Sequence, residues 1–153
     1  MNIDIRSETL DAPVVLSLIL ALNAELAERY PEEGANHFRL DPEEVGPGRG
    51  AFLVAYVDGR PVGCGAVRIN EPGVGEIKRM FVVPEFRGRG VAGALLKALQ
   101  HHGRDLGAHK LVLETGSRQP EAIALYRRAG FIEIPRFGEY VESPMSLCMG
   151  KDL

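Results

Sequence analysis

The chain has 153 residues, enough for one domain with its own core. Its 18 lysines and arginines against 21 aspartates and glutamates leave a net charge of −3, which argues against a nucleic-acid binder that works through a broadly basic surface. The longest uncharged run, residues 12–24, is shorter than the roughly 20 residues a bilayer span takes, and mostly acidic residues precede it where a secretion signal would be basic.

Residues 2–6 alternate, with Ile3 and Ile5 on one face, and predict a first strand. Asp11 can cap a helix and Pro13 suits its first turn, so a helix is expected to about Tyr30, stopped by Pro31. Residues 31–50 are rich in Pro, Gly, Glu and Asp and read as a loop with one short helix near 41–45. Residues 51–57 and 61–69 form a hairpin through Asp58-Gly59. A second turn at 70–75 leads into a strand over 76–83. A helix follows over 90–106, then a strand at 110–114 and a helix at 119–129. Residues 131–134 and 145–149 supply the last strands. Hairpin-linked strands followed by a β-α-β-α-β tail predict a mixed sheet covered by helices. The unit spanning 76–114 must be parallel with a right-handed crossover.

The strand-to-helix junction carries the chemistry. Val82 and Val83 end an apolar run, Pro84-Glu85-Phe86 follows, and Arg87-Gly88-Arg89-Gly90-Val91-Ala92 opens the helix. The first N–H groups of a helix have no internal acceptor, and the helix dipole adds partial positive charge there. Glycines let backbone approach a ligand closely. The combination suits a phosphate or pyrophosphate. The spacing is neither the G-x-G-x-x-G of dinucleotide folds nor a P-loop, since no G-K-[ST] follows. The two cysteines, Cys64 and Cys148, have no metal-ligand spacing and read as small buried residues; no metal is expected.

The R-x-x-G-x-A spacing of Arg87, Gly90 and Ala92 resembles the coenzyme A pyrophosphate loop of the GNAT superfamily of N-acetyltransferases. The flanking strand E-I-K-R-M-F-V-V, the strand K-L-V-L-E-T, the segment A-I-A-L-Y-R-R-A-G-F and the hairpin F-L-V-A-Y-V-D-G-R-P-V-G-C-G-A-V extend the resemblance over nearly the whole chain. It implies an α/β (α+β) fold of the GNAT type. That fold is a mixed, mostly antiparallel sheet of about seven strands with helices on both faces, its fourth and fifth strands parallel and splayed. It further implies a single catalytic domain over residues 1–153, acetyl-CoA as co-substrate without a metal and a small-molecule amine acceptor, while the cysteine usage fits a cytoplasmic location. No nucleic acid or membrane partner is implied. Homodimers are common among such proteins.

Carried over residue by residue, the resemblance places the pyrophosphate on Arg87, Gly88, Arg89, Gly90, Val91 and Ala92, with Phe81, Val82 and Val83 beside the pantetheine. A bulge in the fourth strand would turn an amide near Val82 toward the thioester carbonyl. Tyr126 falls on the family's general-acid tyrosine. Gln119 stands where many members have Asn against the pantetheine. Glu76, opening the fourth strand, is the expected general base, with His37 and Glu114 as other candidates. Acceptor residues are expected among His37, Phe38, Arg39, Arg79, Arg136 and Tyr140. The arginines are suited to a carboxylate, while Glu32 and Glu33 would instead draw a polyamine or a lysine side chain. A CoA-binding regulator without turnover, or an enzyme using a longer acyl-CoA or a protein lysine, fits the same loop.

Overall fold

A computed structural model describes residues 1–32 and 40–153. Seven strands form one sheet in the order β1-β2-β3-β4-β5-β7-β6. They are β1 (Asp4–Glu8), β2 (Gly50–Val57), β3 (Arg60–Glu71), β4 (Val74–Val82), β5 (Lys110–Gly116), β6 (Ile132–Ile134) and β7 (Ser146–Asp152). Helices α1 (Pro13–Arg29), α2 (Val91–Asp105) and α3 (Pro120–Arg128) connect them. Every neighbouring pair is antiparallel except β4 and β5. Element order and sheet class match the expectation.

Strand alternation divides the core. On one face Leu53, Ala55, Val57 and Val67 pack against Val91, Leu95, Leu96 and Leu99 of α2, joined by Tyr126 of α3. On the other, Phe52, Val54, Tyr56, Cys64 and Ala66 meet Val15, Leu18 and Leu22 of α1. The hairpin turn is as expected: Asp58 (φ 50°) and Gly59 (φ 77°) are both left-handed, the twist that suits two antiparallel strands.

Two helix starts differ from the reading of the sequence. Ala12, not Asp11, occupies the position before α1 and makes no side-chain cap, so Pro13 alone sets the entry. In α2 that position is Gly90 itself, left-handed at φ 85°, and the helix begins at Val91. The short helix near 41–45 is a 3₁₀ turn, Pro42–Val45, with the Asp41 N–H donating to the Glu44 carboxylate.

Candidate active site

The parallel ladder between β4 and β5 is short. It pairs Val74, Gly75, Glu76 and Ile77 with Lys110, Leu111, Val112 and Leu113, and stops there although both strands continue. Beyond it the strands part, and a cleft opens between them. Its walls include Leu22 and Leu26 of α1, Lys78 to Met80 of β4, Glu114 to Gly116 of β5, Gln119 and Tyr126 of α3, and Tyr140 and Ser146 from the last hairpin.

β4 carries the expected bulge, two to three residues before Val82. Cys64 faces Phe81 while Ala66 faces Lys78, so Arg79 and Met80 together oppose Gly65. Arg79 takes a left-handed φ of 59°. A side chain at 65 would meet the Met80 sulfur at 2.6 Å, so glycine is what lets the bulge close on β3. The Cys64 thiol, pushed up to about 12 by burial, donates to the Arg79 carbonyl at 3.3 Å.

The glycine loop presents backbone. The N–H groups of Gly88, Arg89 and Gly90 meet no acceptor among the described residues, and the first turn of α2 adds more. An ideal Cβ at Gly88, Gly90 or Gly93 would meet nothing within 4 Å, so the space above is open. This surface fits a phosphate-bearing ligand. The two arginine side chains turn to protein partners. Arg87 folds back, donating to the Val82 carbonyl (2.9 Å) and Glu25 (2.7 Å), and so ties the loop to α1. Arg89 lies over the Phe86 ring. Phe81 is buried in the α1-side core, Val82 and Val83 are half-buried beside it, and Val91 is buried under α2, with Ala92 half-buried after it.

Tyr126 reaches the cleft from α3, its ring edge-to-face with Phe131 at 5.8 Å. Its hydroxyl makes no hydrogen bond among the described residues, yet no buried polar side-chain atom there lacks a partner, so the hydroxyl is open to the cleft. Gln119 precedes α3 on the same wall.

A family model for the Acetyltransferase (GNAT) family matches residues 17–131. The chain belongs to the GNAT acetyltransferase family. It is 42% identical, over 99% of each chain, to an IAA acetyltransferase of Azospirillum brasilense. Its fold is similar to that of a Klebsiella pneumoniae protein assigned as an acyl-CoA N-acyltransferase, with a TM-score of 0.84 and 34% identity over 99% of this chain and 97% of that one. The fold is shared with an Elizabethkingia anophelis GNAT acetyltransferase with acetyl-CoA bound (TM-score 0.71, 22% identity, 99% of each chain). The chain is an acetyl-CoA-dependent acetyltransferase.

Within this GNAT enzyme, Glu76 departs from the role its position suggested. It is 1% exposed and not on the cleft wall. Its Oε1 accepts from Arg68 Nε (3.1 Å) and Nη2 (2.9 Å), and its Oε2 accepts from the Tyr140 hydroxyl (2.8 Å). Arg68 also pairs with Glu44. Both carboxylate oxygens are therefore occupied, and Glu76 holds Tyr140 against the cleft instead of facing it. Burial and the adjoining Glu76 carboxylate push the Tyr140 phenol up, so it stays a hydrogen-bond donor.

Glu114 does face the cleft. Burial raises its carboxyl above the usual range, partly offset by a 2.6 Å hydrogen bond from the Ser146 hydroxyl. Lys78, with a 5% exposed side chain, pairs with Glu139 at 3.3 Å. Arg79 lines the cleft and donates to Asn23 of α1 at 3.0 Å; burial pulls its guanidinium down. Arg136 does not line the cleft, because it clasps the carbonyls of Ser146 and Pro144. His37, Phe38 and Arg39 lie outside the described residues. The reading of the sequence missed Lys78, Arg68 and Ser146. Lys78 stands two places after Glu76 on the same strand face, which periodicity alone could have signalled. Among the described residues no three His, Cys, Asp or Glu side chains gather to hold a metal, and no helix there is long and apolar enough to cross a membrane.

Proposed function

We propose that this acetyltransferase moves the acetyl group of acetyl-CoA to a primary amine of a small molecule, by direct attack within a ternary complex. The observation that carries the reading is the parting of β4 and β5 at Ile77 and Leu113, which opens a cleft reached by the free Tyr126 hydroxyl, while β4 itself leads on to the open backbone amides at Gly88 to Gly90. The pyrophosphate would rest on the loop amides and the α2 terminus, while the arm would enter the parted strands beside Gln119. The Arg79–Met80 bulge would offer the thioester carbonyl an amide in place of one at Val82. Tyr126 would donate to the departing thiolate.

The acceptor side of the cleft is amphipathic. Leu22, Leu26 and Met80 supply an apolar wall, and Arg79, Lys78 with its Glu139 partner, and Glu114 supply charge of both signs. That balance suits a small amine with an apolar body and a carboxylate. Kinship with an IAA acetyltransferase supports a small-molecule acceptor. Calorimetric titration with acetyl-CoA, against CoA, ATP and NAD, tests the first half of the reading. Thiol release on addition of amines tests the second. Selective binding of the CoA ester with amine-dependent thiol release is the expected result; preference for ATP or NAD would refute it.

A further inference from the structure

We propose that Glu114 takes the proton from the attacking amine, with Ser146 as the positioning residue that holds its carboxylate; this rests on the acetyl-transfer reading above. Glu76 and Glu114 sit on adjacent strands and on one sheet face, but their surroundings differ. Glu76 is sealed from the cleft, with both oxygens accepting hydrogen bonds from Arg68 and Tyr140. Glu114 uses only Oε2, toward Ser146; Oε1 accepts nothing among the described residues and is not sealed from solvent. The Ser146 hydroxyl also lies 2.8 Å from that of Ser143, which fixes it in place. Glu114 follows Leu113, the last residue of the parallel ladder, so its side chain meets the cleft where the strands separate. Tyr126 lines the same cleft from α3.

The step balances for a neutral amine. The nitrogen–carbon bond forms and the carbon–sulfur bond breaks. Glu114 Oε1 accepts one proton from nitrogen, and the thiolate receives one by way of Tyr126. Glu114 then releases its proton to water and Tyr126 regains one, leaving an amide and a thiol.

Several groups face the Glu114 carboxylate. Glu76 and Lys78 approach from β4, Glu139 and Tyr140 from the last hairpin, Tyr126 from α3 and Cys148 from β7. Burial is the largest influence and raises the carboxyl; Glu76 and Glu139 raise it further, while Ser146 and Lys78 lower it. A group so placed can accept a proton nearer neutral pH than an exposed glutamate, which titrates at about 4.3.

The test is the pH profile of kcat by thiol release, with tyramine, spermidine and L-phenylalanine as acceptors, on the parent and three variants. Glu114→Gln keeps an acceptor for Ser146. It should bind acetyl-CoA with unchanged affinity, lose roughly 10²-fold or more in kcat and lose the acid limb of the profile. Ser146→Ala should move the limb to higher pH, and Glu76→Gln should move it to lower pH. Opposite displacements are something a merely structural role would not produce. If Glu114→Gln fails to fold, the two displacements decide alone. A Glu114→Gln enzyme with the parent's rate and limb overturns the assignment, as does a limb that neither of the other variants moves. A parent that binds acetyl-CoA but acetylates none of the three amines overturns the amine reading and this inference together.

Discussion

Replacing Tyr126 with phenylalanine removes one oxygen and little else. The hydroxyl has no hydrogen-bond partner among the described residues, so its loss strands no buried donor or acceptor. The edge-to-face contact with Phe131 survives in the variant. The stability change should therefore stay under about 1 kcal/mol. The kinetic loss follows from what the hydroxyl meets in the transition state. Full transfer from a phenol at about 10 to a thiolate at about 8.5 is uphill by about 2 kcal/mol, and burial of Tyr126 pushes its phenol higher still. The main contribution is then a hydrogen bond to sulfur as it gains charge, worth about 1.5–3 kcal/mol. That converts to a fall in kcat of roughly 10- to 150-fold, with acetyl-CoA affinity and melting temperature held. Steady-state thiol release with calorimetry on the same preparations measures all three. Because burial raises the phenol, Tyr126 should contribute no alkaline limb below pH ~10 in the parent. An unchanged kcat would reduce Tyr126 to a packing residue and refute the reasoning.

Three further substitutions probe the loop, the buried network and the cleft roof. Gly90→Glu forces a left-handed position on a residue with a Cβ, at about 1–2 kcal/mol, and sets a carboxylate over the amides; acetyl-CoA binding should vanish in calorimetry, and retained affinity would mean the loop is misassigned. Arg68→Met leaves Glu76 buried without its guanidinium and should cost about 3–5 kcal/mol in denaturant unfolding; a loss under about 1 kcal/mol would show that Glu76 draws little from the pair. Gly116→Ala places a Cβ 1.7 Å from the Tyr30 hydroxyl, which now accepts from the Arg118 N–H, so the ring must move. A loss of about 1–3 kcal/mol is expected. It should be smaller in a Tyr30→Ala background, and strict additivity in that double-mutant cycle would contradict the contact.

Local chemistry made much of this fold legible. Asp58-Gly59 between two apolar runs names its own turn, and the step from β4 through two glycines into α2 names the loop. Tyr126, singled out by its place in a motif, lies on the cleft wall. Other features depend on partners distant in sequence. Nothing about Arg79 itself announces a left-handed bulge; the cause lies across the strand, in the missing side chain of Gly65. Glu76 reads as a strand-end carboxylate until Arg68, eight residues earlier, and Tyr140, 64 residues later, fold onto it. The Arg87 guanidinium reads as a bare cation beside the loop until Glu25, 62 residues away, pairs with it. Residue type gave the chemistry in each case, and only the tertiary partner decided where it was directed.

The four-residue ladder between β4 and β5 has a consequence for solubility. Past Ile77 and Leu113 the two strands part company, and backbone rims that a sheet normally hides are turned toward each other across a gap. Such rims are where stray chains attach to one another at the margin of a sheet. Here they lie in the middle of the sheet, with β3 on one side, β7 on the other, and helices over both faces. Rims placed there are flanked by neighbouring strands and covered by helices, away from the outer margins where another chain adds a strand.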